Sequence, residues 1–118
     1  MKATLRSIFL TSEQPAATAK FYRDVAGLEL ELVDSGEYVY WKVERDGMQL
    51  AIHDAKRFAE YTDPPFAESN LTHLYFKIGD QQEFLEHLQN CNLAAYSVDD
   101  VVVTVVDPDG RRVLFGTA

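Results

Sequence analysis

The sequence predicts an α+β fold of two βαβββ modules, each a curved mixed four-stranded sheet with one helix, paired into a barrel-like cleft. Residues 101–106 form a β-branched run, a turn Asp-Pro-Asp-Gly follows at 107–110, and a second apolar run ends at Phe115, which indicates a hairpin. Residues 43–52 repeat this pattern, and both turns end in Asp-Gly. Because a strand, helix and strand pattern precedes each hairpin, we interpret the chain as a duplicated module.

The first half of the chain predicts a strand, a helix and three further strands. Ile8 and Leu10 share one face of the first strand, and Ser7 and Phe9 share the other. The hydroxyl, acidic and proline residues that follow are typical of a helix start, and Gly27 is well placed to end that helix. The predicted elements are a strand at 5–10, a helix at 16–25 and strands at 28–33, 38–43 and 48–53.

The second half predicts the same order. Asp80 and Glu83 form a capping box at the start of the second helix. Between the halves, residues 56–70 contain two adjacent prolines and break the pattern, so they form either a linker or a lid, with one helical turn at most. The predicted strands are 72–78, 93–96, 101–106 and 112–115, in a single domain with module 1 at 1–55 and module 2 at 71–118.

Composition limits the classes of partner and location. The chain has 118 residues and a net charge of −8, which argues against nucleic acid because phosphate binding requires clustered basic side chains. The acidity serves solubility or attracts a cationic ligand, and composition leaves both readings open. No run is apolar enough to span a membrane and the N-terminus has no signal-peptide pattern, so we expect a cytoplasmic protein. The lone Cys91 excludes an internal disulfide and a cysteine-based metal site.

Three segments carry a resemblance to a known family. They read FYRDVAGLEL at 21–30, HLYFKIGD at 73–80 and DPDG at 107–110, and they follow one another in the expected order over nearly the whole chain. On these segments the chain resembles the vicinal oxygen chelate superfamily, which includes glyoxalase I, fosfomycin-resistance transferases, extradiol dioxygenases and bleomycin-resistance binding proteins. The resemblance implies the two-module fold and, in the family's enzymes, a divalent metal on the concave face of the sheet.

The resemblance places the family's metal ligands at Ser7, Ala51, His73 and Leu114. Only His73 is a ligand-type residue, because alanine and leucine have no donor atom and a serine hydroxyl is a poor ligand for these metals. We therefore expect no metal cofactor. The alternative is a displaced divalent metal held by His53 and His73, although two imidazoles fall short of the usual three protein ligands.

The rest of the concave face predicts a small-molecule site, because it is mostly apolar and aromatic with a few polar groups. We expect no catalytic residues, since Ser7 lies outside any nucleophile elbow and no glycine-rich phosphate loop is present. The aromatic residues of the third strand contribute to this face or to the core beneath the helices. The predicted ligand-binding residues are Phe9, Trp41, Gln49, His53, His73, Tyr75, Arg112 and Leu114.

Three functions remain open at this point. The leading hypothesis is a metal-independent protein that sequesters a small aromatic molecule, similar to the bleomycin-resistance branch, whose members are acidic dimers that bind a cationic aromatic drug. The expected partners are therefore such a molecule, cationic if the acidity steers it, and a second copy of the chain in a homodimer. The alternatives are a glyoxalase-type lyase or isomerase, or a dioxygenase, with a displaced metal, and a non-catalytic domain that associates with another protein.

Overall fold

Two four-stranded mixed sheets, each with one long helix, make up the described part of the chain. The computed structural model describes residues 2, 4–60 and 73–118. Module 1 contains β1 (Ser7–Ser12), α1 (Pro15–Ala26), β2 (Glu31–Asp34), β3 (Val39–Arg45), β4 (Met48–Asp54) and the short α2 (Ala55–Ala59). Module 2 contains β5 (Leu74–Lys77), α3 (Gln81–Asn90), β6 (Ser97–Val98), β7 (Val102–Val106) and β8 (Arg112–Gly116).

Strand order and register are the same in both modules. The orders are β1-β4-β3-β2 and β5-β8-β7-β6, and in each sheet the first two strands are parallel. Phe9 lies opposite Ala51 in module 1, and Tyr75 lies opposite Leu114 in module 2. The predicted α+β fold of two βαβββ modules is confirmed, and within the described residues the sheets do not close into a barrel.

The helix ends follow from local chemistry. Gly27 adopts a left-handed φ of 71° and ends α1, a conformation that glycine accepts without steric cost. Pro15 is the first residue of α1, where its missing N–H costs no hydrogen bond. At the start of α3 the Asp80 side chain accepts a hydrogen bond from the backbone N–H of Glu83 at 2.8 Å, as the capping box predicts. No helix among the described residues is long and apolar enough to cross a membrane.

The two Asp-Gly turns differ in geometry. Asp46 and Gly47 both have positive φ, 53° and 79°, which is typical of a two-residue hairpin turn. In the second turn the carbonyl of Asp107 accepts a hydrogen bond from the N–H of Gly110 at 3.0 Å, and Gly110 has a φ of 88°. This second geometry is typical of a type I turn closed by a glycine bulge.

Several predicted strand bounds differ from the observed ones. The first strand begins two residues later than predicted, at Ser7, and the second begins three residues later, at Glu31. The strand predicted at 93–96 was wrong, because the structure forms its edge strand at Ser97–Val98, while Leu93 and Ala95 pack against the core. The helical turn allowed in 56–70 corresponds to α2. The remainder of that segment lies outside the described residues.

The helices of both modules share one hydrophobic core. It contains Leu10 and Ile52 from module 1, and Val113 and Phe115 from module 2, together with residues of α1 and α3. We refer to the opposite side of each sheet, turned away from this core, as its outer face. Because strand side chains alternate, Phe9 and Ala51 belong to the outer face of module 1, and Tyr75 and Leu114 belong to that of module 2.

A buried polar cluster joins the modules on the helix side. The Asp107 side chain is fully buried and accepts hydrogen bonds from the Tyr22 hydroxyl and from Arg111 Nη1, both at 2.8 Å. Burial, reinforced by the neighbouring Asp107 charge, raises the pKa of Tyr22 above its ordinary value. Asp109 adds a bond from the Thr18 hydroxyl of α1 at 2.5 Å. The turn before β8 is therefore anchored on α1. Because the two modules contact each other through their helix sides, both outer faces point away from this contact.

Candidate functional site

The outer face of module 2 carries a cavity of about 230 Å³. Alternation along β8 directs Arg112 and Leu114 to this face, because Val113 and Phe115 are buried in the core. His73, just before β5, meets them there. The cavity is lined by His73, Tyr96, Ser97, Thr104, Arg112 and Leu114. The structure thus brings three of the predicted binding residues together in one place.

The guanidinium of Arg112 lies against the ring of Tyr96. Its central carbon is 4.7 Å from the ring centroid, and Nη2 donates a hydrogen bond to the Tyr96 hydroxyl at 3.1 Å. A cation–π contact at an exposed site contributes only about 0.5–1 kcal/mol. Its effect here is positional, since it holds the positive charge at the wall of the cavity.

Two hydroxyl residues on β6 and β7 complete the lining. Ser97 lies opposite Thr104 in the strand pairing, and Thr104 is only 9% exposed. Within residues 4–60 and 73–118, neither hydroxyl is hydrogen-bonded to another group of the chain. Each hydroxyl can therefore donate to, or accept from, a bound molecule.

Tyr75, another predicted binding residue, lies beside this cavity without lining it. Its ring crosses Gly116, where an added Cβ would come within 2.3 Å of the Tyr75 hydroxyl oxygen. That hydroxyl donates a hydrogen bond to the carbonyl of Ala118 at 2.9 Å. Glycine at position 116 thus leaves the space that the ring occupies at the end of β8.

The outer face of module 1 is filled by an aromatic cluster around His53. The rings of Phe9 and Phe58 each have their centroids 4.9 Å from that of His53, and Tyr40 stacks on it at 5.1 Å. The Tyr38 hydroxyl lies 2.8 Å from His53 Nδ1. Because Phe58 belongs to α2, this short helix covers the end of the sheet where the cluster lies.

His53 is suited to packing in this cluster. It is 8% exposed, and its Nε2 is buried without a hydrogen-bond partner. Burial lowers the pKa of His53 below its ordinary value, because the surroundings disfavour the charged ring. At neutral pH the imidazole is therefore uncharged.

Gln49 and Trp41, also predicted to bind ligand, lie outside the module 2 cavity. Gln49 Oε1 accepts a hydrogen bond from the Ser7 hydroxyl at 3.4 Å, and its Nε2 donates to Glu44 at 3.2 Å. Trp41 lies opposite Ile52 in the β3–β4 pairing and packs against the core. The structure therefore puts Trp41 on the helix side of the sheet, away from the other predicted binding residues.

The positions of the family's metal ligands are divided between the two outer faces. Ser7 and Ala51 lie on module 1, where Ala51 is fully buried and presents only a methyl group. His73 and Leu114 lie at the module 2 cavity. No group of three His, Cys, Asp or Glu side chains in the described part of the chain is arranged to hold a metal ion. With one imidazole as the only strong donor, these four positions do not fit a divalent metal.

Sequence reasoning missed three lining residues. Tyr96 and Ser97 were missed because the edge strand was predicted at 93–96. The observed edge strand starts one residue after Tyr96, whose N–H donates a hydrogen bond to the Thr104 carbonyl at 2.7 Å. Thr104 offered a usable signal, because it is the one hydroxyl in a run of valines on β7. Its alternation with Val103 and Val105 puts it on the outer face.

Comparison with solved structures identifies the architecture. A lactoylglutathione lyase from Agrobacterium tumefaciens matches with a TM-score of 0.70 and 20% identity, covering 98% of this chain and 94% of that one. A glyoxalase/bleomycin resistance protein/dioxygenase from Nocardioides matches with a TM-score of 0.72 and 20% identity, covering 98% and 83%. The chain has the fold of the vicinal oxygen chelate superfamily.

Two further structures have a similar fold at lower sequence identity. The Leishmania major glyoxalase I, described as trypanothione-dependent, matches with a TM-score of 0.69 and 14% identity over 98% of this chain and 86% of that one. An integron cassette protein from Vibrio cholerae matches with a TM-score of 0.71 and 16% identity over 98% and 95%. No protein-family model and no curated protein sequence matches the chain. At these identities the structural likeness shows the fold alone.

Proposed function

We propose that this vicinal oxygen chelate fold serves as a metal-independent binding protein for a small aromatic molecule, which it holds at the module 2 cavity. The observation that carries the proposal is the lining of that cavity. It combines an aromatic ring, an aliphatic side chain and several polar groups that converge on one space, as small-molecule sites do. On this proposal the chain sequesters its ligand and does not transform it, as the bleomycin-resistance branch does.

The chemistry of the ligand positions supports a metal-independent role. A catalytic site of this kind would require three or more protein donors around an open coordination position. Here Ala51 and Leu114 have no donor atom, and the Ser7 hydroxyl is engaged by Gln49 at 3.4 Å. The displaced site imagined between His53 and His73 gains no support either, because His53 is enclosed by its own aromatic cluster.

A homodimer is part of the proposal. Aromatic residues outside the cavity lining are exposed on both outer faces, including Phe9 at 52% and Tyr75 at 45%. Burying such surfaces against a second copy would remove apolar area from water. Light scattering at micromolar concentration should give twice the chain mass, and a monomer mass would contradict this part of the proposal.

The location proposed for this binding protein is the cytoplasm. Its one cysteine, Cys91, forms no disulfide within the chain. The fold therefore needs no oxidising compartment.

An enzymatic role is the second candidate, because two of the similar structures are named as a lactoylglutathione lyase and a glyoxalase I. A lyase of this kind would need a bound divalent metal at a displaced site. A resident metal stabilises the folded state by mass action, so its removal lowers the melting temperature.

Metal analysis and binding together separate the two candidates. We expect less than about one-tenth of a transition-metal ion per purified chain and no change in melting temperature with chelator. We also expect saturable binding of a one-ring aromatic molecule, benzyl alcohol, by the chelator-treated protein. One metal ion per chain, together with a chelator-dependent melting temperature, would favour the enzyme and sink the proposal.

A further inference from the structure

The charge at the module 2 cavity is opposite in sign to that of the whole chain. The chain carries 19 acidic residues and a net charge of −8, yet the described residues that line the cavity include no carboxylate. Among them, the one permanently charged group is the guanidinium of Arg112. Within the described residues Arg112 forms no ion pair with an acidic side chain; its hydrogen bond goes to the neutral Tyr96 hydroxyl.

The acidic residues near the other surface cavity are arranged differently. That cavity, about 270 Å³ in volume, lies on module 1 and includes Glu31 and Glu44. Lys42 lies 3.5 Å from Glu31 and 3.3 Å from Glu44. The described lining of this cavity holds three carboxylates and two cationic side chains, so its net charge is negative, like that of the whole chain. The cavity with an unpaired positive charge is therefore the one at Arg112.

From this arrangement we infer that the module 2 cavity binds the carboxylate of a one-ring aromatic acid. The inference rests on the proposed function and names the chemical class of its ligand. A guanidinium offers a planar pair of N–H donors that matches the two oxygens of a carboxylate. The Ser97 and Thr104 hydroxyls supply additional donors, and Leu114 and the Tyr96 ring provide apolar surface for the ligand ring.

The size of the cavity favours a small ligand. Its volume of about 230 Å³ lies below the range of about 300–1,000 Å³ that is typical of drug-sized sites. A single substituted ring is therefore a better match than a multi-ring drug. A cationic ring is disfavoured, because its charge would lie beside the Arg112 guanidinium in a partly desolvated space.

Three probes that share one ring but differ in charge test this inference. Benzoate, benzyl alcohol and benzylammonium are titrated separately into chelator-treated full-length protein, and binding is followed by NMR shifts of backbone amides. We expect benzoate to bind most tightly. The Arg112→Gln variant should weaken benzoate binding by about tenfold or more, the loss expected for a charge-assisted hydrogen bond, and change benzyl alcohol binding by less than about twofold.

An exposed arginine outside the cavity provides the matched control. Arg45→Gln, at the end of β3, removes the same charge and should leave all three affinities within about twofold of the parent. Because Arg112 is exposed, the Arg112→Gln variant should fold normally, which its NMR spectrum and melting temperature verify.

The outcomes distinguish this inference from the proposed function. Tighter binding of benzylammonium than of benzoate, or benzoate binding that Arg112→Gln leaves intact, overturns the carboxylate assignment but keeps a binding protein. Saturable binding of none of the three probes at millimolar concentration overturns the assignment and removes support from the proposed function as well.

Discussion

The two outer faces have the same strand register, but different side chains occupy the equivalent positions. Phe9 and Tyr75 occupy equivalent positions, opposite Ala51 and Leu114 respectively. In module 1 the neighbouring position on β4 is His53, and α2 closes over it with Phe58. The equivalent position on β8 is Gly116, which the chain's own Tyr75 ring covers.

The other end of each face shows the difference that matters for binding. In module 1 the Ser7 hydroxyl donates a hydrogen bond to Gln49, and Gln49 Nε2 donates one to Glu44, so these polar groups are already paired. The equivalent His73 and Arg112 of module 2 border an open cavity. The two modules thus share their strand register, while side-chain size and charge fill one outer face and leave a cavity on the other.

The largest expected effect concerns the polar cluster that holds the modules together through their helix sides. Asp107→Asn should lower the free energy of unfolding by about 2–3 kcal/mol, because a buried charged acceptor of Tyr22 and Arg111 is lost. Urea denaturation followed by the fluorescence of the single Trp41 measures the change at fixed protein concentration.

The corresponding turn of module 1 supplies the control for this prediction. Asp46 is exposed and has a φ of 53°, a conformation that asparagine tolerates. Asp46→Asn should change the free energy of unfolding by less than about 0.5 kcal/mol. Equal losses at the two positions would mean that the module 2 turn does not anchor α1.

A second prediction tests whether the face of module 1 is filled around a neutral histidine. The folded-state pKa of His53 lies below 6.5, so the unfolded chain takes up the proton first as pH falls. The stability that comes from a neutral His53 is complete above about pH 6.5 and is lost as pH decreases toward the folded-state pKa. Melting temperature should therefore fall on acidification from pH 7.5 to 5.5.

Substitution separates His53 from other acid-sensitive groups. His53→Gln should lower the stability at pH 7.5 and flatten the pH dependence in this window, whereas His73→Gln, at an exposed histidine, should retain it. A slope that persists unchanged in His53→Gln would show that the cluster does not bury a neutral imidazole.

A smaller effect is expected at the face of module 2. His73→Ala should weaken binding of benzoate by about 1 kcal/mol, the typical loss of one hydrogen bond, without lowering the melting temperature. Lys77→Ala, on the same side of β5 but outside the cavity, is the matched control and should leave binding unchanged. A His73→Ala protein that melts far below the parent and still binds benzoate would put His73 in a structural role.

Much of this comparison could be predicted from the sequence, because the alternation of side chains is a local property. It put His73, Arg112 and Leu114 on the same face of their module, as the cavity lining shows. It also joined them in one concave face with residues of module 1, which lie on a separate outer face in the structure. The repeated Asp-Gly turns likewise predicted two equivalent hairpins, and the capping box predicted the start of α3.

The remaining features depend on contacts between distant segments. Tyr96 enters the cavity because the edge strand starts at Ser97, which is determined by pairing with β7 and not by local propensity. In the structure α2 closes over His53, and Asp107 binds Tyr22. Neither contact follows from the periodic spacing of residues within one strand or helix. Trp41 shows that residue type alone does not predict a binding role. Its ring is suited to stacking on a ligand, but it packs against the core.

The most direct test of the account maps where a small aromatic molecule binds when no metal is present. Chelator-treated, ¹⁵N-labelled protein is titrated with benzoate and its amide shifts are recorded. The account predicts saturable shifts concentrated at His73, Tyr96, Ser97, Thr104 and Leu114, around the module 2 cavity. Shifts confined to Phe9, Tyr40 and His53 of module 1, or binding that appears only after a divalent metal is added, would contradict it.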